Sequence, residues 1–174
     1  WDERFPYSVG ERGVALSDAA IYSKFPLAQS ASLPGSTFQQ WISTADVPGI
    51  GPVRIIAAHP CNPYCGSNRW VAEHKQLRAT ADAAMNMPLI VVGDFNAVDD
   101  HGPIRALRGD GLDSATDIVG AGWLPTYPAN RMIPPLLPID HILVNSYLTA
   151  TSISTFNVSG TDHRGVIAQI AGTG

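Results

Sequence analysis

Apolar residues recur along this chain at two spacings. Residues 68–87 contain no Gly or Pro, are rich in Ala, and place Trp70, His74, Leu77, Ala81, Ala84 and Met85 at helical intervals. That periodicity predicts a helix with one buried stripe. Pro88-Leu89-Ile90-Val91-Val92-Gly93 follows at once, and a short unbroken apolar run predicts a strand buried on both faces. Further strands are predicted over 14–22, ended by Lys24-Phe25-Pro26, and over 37–45 and 53–58. The last two are joined by the turn-rich segment 46–52 and read as a hairpin. Segments 139–144, 149–156 and 165–170 complete the strands, and 104–107 and 112–119 read as short helices. Strand, helix, buried strand and then several more strands predict a layered α/β sandwich. No repeat, low-complexity tract or linker divides the chain, so residues 1–174 read as a single domain.

Composition narrows the class. With 45% hydrophobic residues and a net charge of only -4, the chain has the apolar surface that a disordered sequence lacks. Its longest apolar runs fall far short of the roughly 20 residues a membrane helix needs, so no membrane span is expected. Residues 1–93 carry seven acidic and seven basic side chains, whereas residues 94–174 carry eight Asp against four Arg. The whole deficit therefore lies in the second half, and six of those Asp fall between Asp94 and Asp117. Such a cluster faces solvent or gathers around a cation. A net negative chain is poorly suited to passive, tight binding of nucleic acid. Phosphate chemistry here would need a metal to offset the repulsion.

The cysteines, Cys61 and Cys65, stand four apart in a Pro-rich stretch. A disulfide, two free thiols, and a zinc site completed by His59 and His74 all fit that spacing, in that order of preference. A bridge, together with Asn157-Val158-Ser159 as a glycosylation pattern, would tilt the protein toward a secreted or extracytoplasmic location.

Four segments carry candidate chemistry. His59 closes the predicted strand Ile55-Ile56-Ala57-Ala58. The apolar strand ends in Gly93-Asp94-Phe95-Asn96, where strand alternation sends Asp94 and Asn96 to one side and Phe95 to the other. An acceptor-only carboxylate beside an amide can hold a water or a metal and a phosphate oxygen. Asp140 sits within the apolar strand Ile139-Asp140-His141-Ile142 and needs a partner, while alternation turns His141 to the opposite face. Asp162 and His163 lie in the loop Ser159–Val166; in extended backbone they diverge, so one could bind a metal while the other meets a carboxylate such as Asp140.

In that order, and with Gly13-Val14-Ala15-Leu16 and Tyr22-Ser23-Lys24-Phe25-Pro26-Leu27 upstream, the chain resembles the endonuclease/exonuclease/phosphatase superfamily from about residue 13 to residue 170. The resemblance implies a deoxyribonuclease-like α/β sandwich of two mixed sheets flanked by helices. It also implies a metal-dependent nuclease, phosphodiesterase or phosphatase. Asp94 would orient or deprotonate the attacking water, and Asn96 would hold it together with a phosphate oxygen. Asp162, with Asp94 and Asn96, would face Mg²⁺ or Mn²⁺. His163 would bind the scissile phosphate or move a proton, with Asp140 accepting its ring N–H, and His59 would be the second active-site histidine, partnered by Glu11. The substrate would be a nucleic acid, a phospholipid head group or a small phosphoester.

The family's amino-terminal Asn-bearing strand and its Glu metal ligand have no counterpart before Gly13, where Glu3 and Glu11 are the only Glu. The resemblance therefore implies a partial domain lacking amino-terminal elements. Two alternatives accompany it: a catalytically impaired module of the same fold that needs a partner segment or chain over its open face, and the small zinc-binding domain.

Overall fold

The computed structural model describes residues 3–10 and 19–174. Its centre is a six-stranded mixed sheet in the order β3-β4-β5-β6-β8-β7. The strands are β3 (Leu27–Ser32), β4 (Trp41–Val47), β5 (Gly51–Ala58), β6 (Leu89–Asp94), β7 (Asp113–Ser114) and β8 (Asp140–Val144). The hairpin expected over 37–58 is the antiparallel pair β4–β5. Helix α1 (Ser67–Asp82) then carries the chain across the sheet, so that β6 runs parallel to β5. Two further antiparallel pairs are β1 (Tyr7–Val9) with β2 (Ile21–Ser23), and β9 (Leu148–Phe156) with β10 (Gly165–Gly172). The second layer, expected as a mixed sheet, is thus among the described residues the β9–β10 pair.

One face of the large sheet is sealed by α1 and α2 (Gly102–Arg108). Ile56, Leu89, Val91 and Leu143 from the strands meet Leu77 and Ala81 of α1 and Ile104 and Leu107 of α2 in one fully buried cluster. The other face is thinner: Val53, Val144 and Leu148 form a small cluster, with Ile55, Ile90 and Ile170 partly covered. That corrects the expectation for β6. Leu89 and Val91 are fully buried, but Ile90 and Val92 are only half-buried, because the layer over their face is the narrow β9–β10 ribbon.

Other departures have local causes. The helix stops at Asp82 and the chain turns through Ala83–Met87, where Asn145 takes over: its side chain accepts from Leu89 N–H (3.1 Å) and donates to the Met87 carbonyl (2.8 Å). The expected helix over 112–119 is the short strand β7 followed by α3 (Ala115–Val119), capped by the Ser114 hydroxyl accepting from Thr116 N–H. Strand β3 gave no periodic signal because it is an exposed edge of small and polar residues. The strand expected over 14–22 lies mostly outside the described residues; its end is β2.

His74 is 1% exposed on the inner face of α1, with Nδ1–H donating to the Trp70 carbonyl at 2.8 Å. Burial pushes its pKa below the ordinary 6.5, outweighing the nearby Trp70 and Phe95 carbonyls. The unfolded chain therefore binds a proton that the folded one refuses, and stability falls as pH drops below about 6.5. We expect the thermal midpoint of the wild type to decline more steeply between pH 7 and pH 5 than that of His74→Gln. Identical slopes in differential scanning calorimetry would remove His74 as the cause.

Candidate active site

Strand register assembles the site. Ala58 pairs with Gly93 across the parallel β5–β6 ladder, so His59 and Asp94, each one residue further on, emerge side by side. Asp94 pairs directly with Asp140 across the antiparallel β6–β8 ladder. Residues 59, 94 and 140 therefore meet at the carboxyl end of β6. The close approach depends on Gly93, whose φ is +151° and where an added Cβ would overlap the Ala58 carbonyl oxygen.

Beyond the strand, Asn96 adopts a left-handed conformation (φ +49°), a departure from the extended backbone expected there. Its backbone N–H donates to Asp94 Oδ1 (2.8 Å), forming an Asx turn, and its side-chain amide donates to the Pro60 carbonyl (3.0 Å). Phe95 turns inward and is fully buried, while Asp94 and Asn96 both line the cavity.

The loop after β9 delivers the remaining residues. His163 Nδ1–H donates to Asp140 Oδ2 at 2.8 Å, which leaves Nε2 facing Asp94 Oδ2 at 3.8 Å. On the other side, His59 Nε2 lies 3.6 Å from the same oxygen. Asp94 Oδ2 thus sits between two imidazoles at the base of a cavity of about 660 Å³. Asp162 also lines this cavity, on its solvent-exposed side. Among the described residues, Asp94, Asp140 and His163 form the group of potential ligands whose donor atoms all lie within 4.8 Å of one another. Glu11, the expected partner of His59, falls outside the described residues. Glu3 is exposed.

The electrostatics divide the two key groups. Burial, and then the adjacent Asp140 carboxylate, push the Asp94 pKa up, against the Asn96 N–H and the two histidines. The hydrogen bond to Asp140 raises the His163 pKa, against its burial. His163 is thereby kept protonated above 6.5, and its raised pKa favours the folded state below that pH, an advantage lost as pH rises through the folded value. In the metal-free protein we expect Asp140→Asn to lower the His163 pKa, because burial then acts without the opposing carboxylate. A histidine-selective NMR titration reads the shift directly, and an unmoved midpoint would contradict the assignment.

Several lining residues carried no periodic or motif signal. Tyr127 places its ring 4.9 Å from that of His163, and Phe38 lies 4.8 Å from His59. Tyr127 is held by pairing with Leu137, while Ala129 N–H bonds the Asp162 carbonyl and Arg164 N–H bonds the Thr126 carbonyl. His101, at the start of α2, and Tyr64, almost fully exposed on a 3-10 turn, complete the rim. His141 is buried on the opposite face, donating from Nε2 to the Ala97 carbonyl at 2.7 Å.

The cysteines do not follow the first expectation. Both are free thiols, Cys61 buried and Cys65 exposed, and burial pushes the Cys61 pKa up to about 12. Nor does a zinc site form among them: His74 faces the core beside Phe95, while His59 lines the cavity with Asp94.

A sequence profile of the Endonuclease/Exonuclease/phosphatase family matches residues 4–163, almost the whole chain. The chain belongs to that family. Members of the family are phosphoesterases and nucleases. Solved structures share the fold at low identity. An endonuclease/exonuclease/phosphatase from Beutenbergia cavernae superposes with a TM-score of 0.68 at 24% identity, covering 89% of this chain and 47% of that protein. D. rerio TDP2, in complex with a single-strand DNA product, gives 0.71 at 14% identity, covering 87% and 71%. The human Nocturnin catalytic domain with bound sulfate gives 0.69 at 20% identity, covering 88% and 63%. The chain therefore spans less than half of the Beutenbergia protein. No curated protein matches. Among the described residues no helix is long and apolar enough to cross a membrane.

Proposed function

We propose that this chain hydrolyses a phosphoester by in-line attack of water on phosphorus. The observation that carries the reading is Asp94 Oδ2, held between His59 and His163 while Asp140 engages the far nitrogen of His163. Asp94, whose Oδ2 faces the cavity between the two imidazoles, takes the proton of the attacking water as the new P–O bond forms. His163, kept cationic by Asp140, faces a non-bridging oxygen and counters the charge that builds on the pentavalent centre. His59, whose Nε2 lies 3.6 Å from the same Asp94 oxygen, stands beside the attacking water and faces a non-bridging oxygen, and the departing oxygen takes its proton from solvent as its bond to phosphorus breaks. The products are an alcohol and a phosphate or phosphomonoester.

The cavity also suits a divalent cation. Its carboxylates are hard oxygen donors, and with Asp140 committed to His163, Asp94 and Asp162 are the residues that would hold Mg²⁺ or Mn²⁺, beside the Asn96 amide. Such an ion would supply Lewis-acid stabilisation of the phosphoryl oxygens. Nucleic acid, phospholipid head groups and small phosphoesters all fit this chemistry. The single-strand DNA product bound to TDP2 and the sulfate bound to Nocturnin support a phosphate site in this fold.

The test is hydrolysis of bis(p-nitrophenyl) phosphate and p-nitrophenyl phosphate with Mg²⁺, with Mn²⁺ and with EDTA. We expect turnover of at least one substrate with a divalent cation and none with the chelator. Turnover that survives EDTA would overturn the metal requirement, and none in any condition would overturn the activity. A second reading draws on the β9–β10 pair, which leaves Phe156 and Ile167 half exposed. In it, the domain is partial and a further segment or partner chain extends that ribbon. A monomer in analytical ultracentrifugation would count against a partner chain.

A further inference from the structure

Glu73 is a buried carboxylate with no direct part in the chemistry above. Its side chain is 3% exposed, yet it lies on a helix where Arg69, one turn back, would suggest an ordinary surface ion pair. Oε1 accepts from Thr37 N–H (2.9 Å), the Thr37 hydroxyl (2.5 Å) and Arg69 Nε–H (3.1 Å). Oε2 accepts from Cys61 N–H (2.9 Å). Burial alone would raise the pKa of this carboxyl, but the hydrogen bonds from Thr37, Cys61 and Arg69 outweigh it and hold the group ionised.

The two backbone donors belong to segments on either side of His59. Thr37 precedes Phe38, whose ring packs 4.8 Å from the imidazole. Cys61 follows His59 by two residues, and the His59 backbone N–H is itself fixed by Gln40 Oε1 at 3.1 Å. One oxygen of Glu73 therefore anchors the β3–β4 connection that brings Phe38 onto the ring. The other anchors the chain just past it.

We propose that Glu73 is a positioning residue that sets the orientation of His59 toward Asp94 through these two anchors. The task needs an acceptor pointing in two directions. A Gln keeps one acceptor and presents NH₂ to a backbone N–H on the other side, and an Asp is one methylene too short to span the gap.

Because the kinetic consequence rests on the hydrolase reading, the test has two arms. In the first, Glu73→Gln is placed in the wild-type and His59→Ala backgrounds, with folding of each protein verified by circular dichroism. We expect kcat to fall about tenfold, with KM nearly unchanged, in the wild-type background, and by less than about twofold where His59 is already gone. An equal loss in both backgrounds would mean that Glu73 acts on general structure, and would overturn the proposal. Thr37→Val, which removes one donor and spares the carboxylate, substitutes if Glu73→Gln does not fold; it should show the same non-additivity.

The second arm needs no activity. The ring current of Phe38 falls on His59, so the His59 Hε1 resonance, assigned by its loss in His59→Ala, should shift in Glu73→Gln and in Thr37→Val. The His141 resonance, whose ring is fixed separately by the Ala97 carbonyl at 2.7 Å, should stay in place. An unmoved His59 signal would refute the positioning role. A wild type inactive on every phosphoester would refute the hydrolase reading instead, leaving this arm to decide.

Discussion

His163→Ala is expected to lower kcat by about a thousandfold while KM changes little, the loss seen when one positioned acid–base and electrostatic group is removed. Two contributions vanish together. The imidazolium that faces the phosphoryl oxygens is gone, and the Asp140 carboxylate loses its donor at 2.8 Å. Asp140 then stands across the ladder from Asp94 with no cation between them, so Asp94 becomes harder to ionise at the moment it must act as a base. Both effects fall on the transition state and not on substrate binding. Steady-state kinetics on bis(p-nitrophenyl) phosphate separates the two parameters, and a variant with near-normal turnover would remove His163 from the mechanism.

The second large effect is on folding. Gly93→Ala should destabilise the protein by about 3 kcal/mol or more, since it combines backbone strain with a steric overlap that no side-chain movement can relieve. The obstructing atom is the Ala58 carbonyl oxygen, part of the parallel ladder, so relief requires β5 and β6 to separate where His59 and Asp94 leave them. Activity should fall with stability. Gly102→Ala is the control: it opens α2, its Cβ meets nothing within 4 Å, and its φ is unexceptional. That variant should be neutral or slightly more stable. Urea denaturation of both proteins provides the comparison, and equal midpoints would show that the register at Gly93 tolerates a side chain.

Much of the site can be read in the primary sequence because its parts are strand ends. His59, Asp94 and Asp140 each interrupt or close an apolar run, and a polar side chain in such a place stands out locally. Glu73 could not be recognised in the same way. Its spacing from Arg69 matches a solvent-exposed helical pair, and its burial follows from where the β3–β4 connection and the Cys61 loop come to rest. Phe38 and Tyr127 lie in irregular segments without period, so their places beside His59 and His163 had no sequence signal. The cysteine spacing left a bridge, free thiols and a zinc site open, and the burial of Cys61 beside an exposed Cys65 is a tertiary property that spacing does not carry.

The division follows from the range of the forces involved. Apolar periodicity is a short-range property, so α1, β6 and the β4–β5 hairpin, and with them the layered α/β class, are encoded in neighbouring residues. The order of strand-end motifs is likewise a linear property, and it was enough to point to the family. Which strand ends meet is a matter of register between segments separated by tens of residues. Ala58 opposite Gly93, and Asp94 opposite Asp140, are set by the burial of Ile56, Val91 and Leu143 on one face of the sheet. Only that packing brings two imidazoles to a single carboxylate oxygen, and the shifted pKa values of Asp94 and His163 exist because of it.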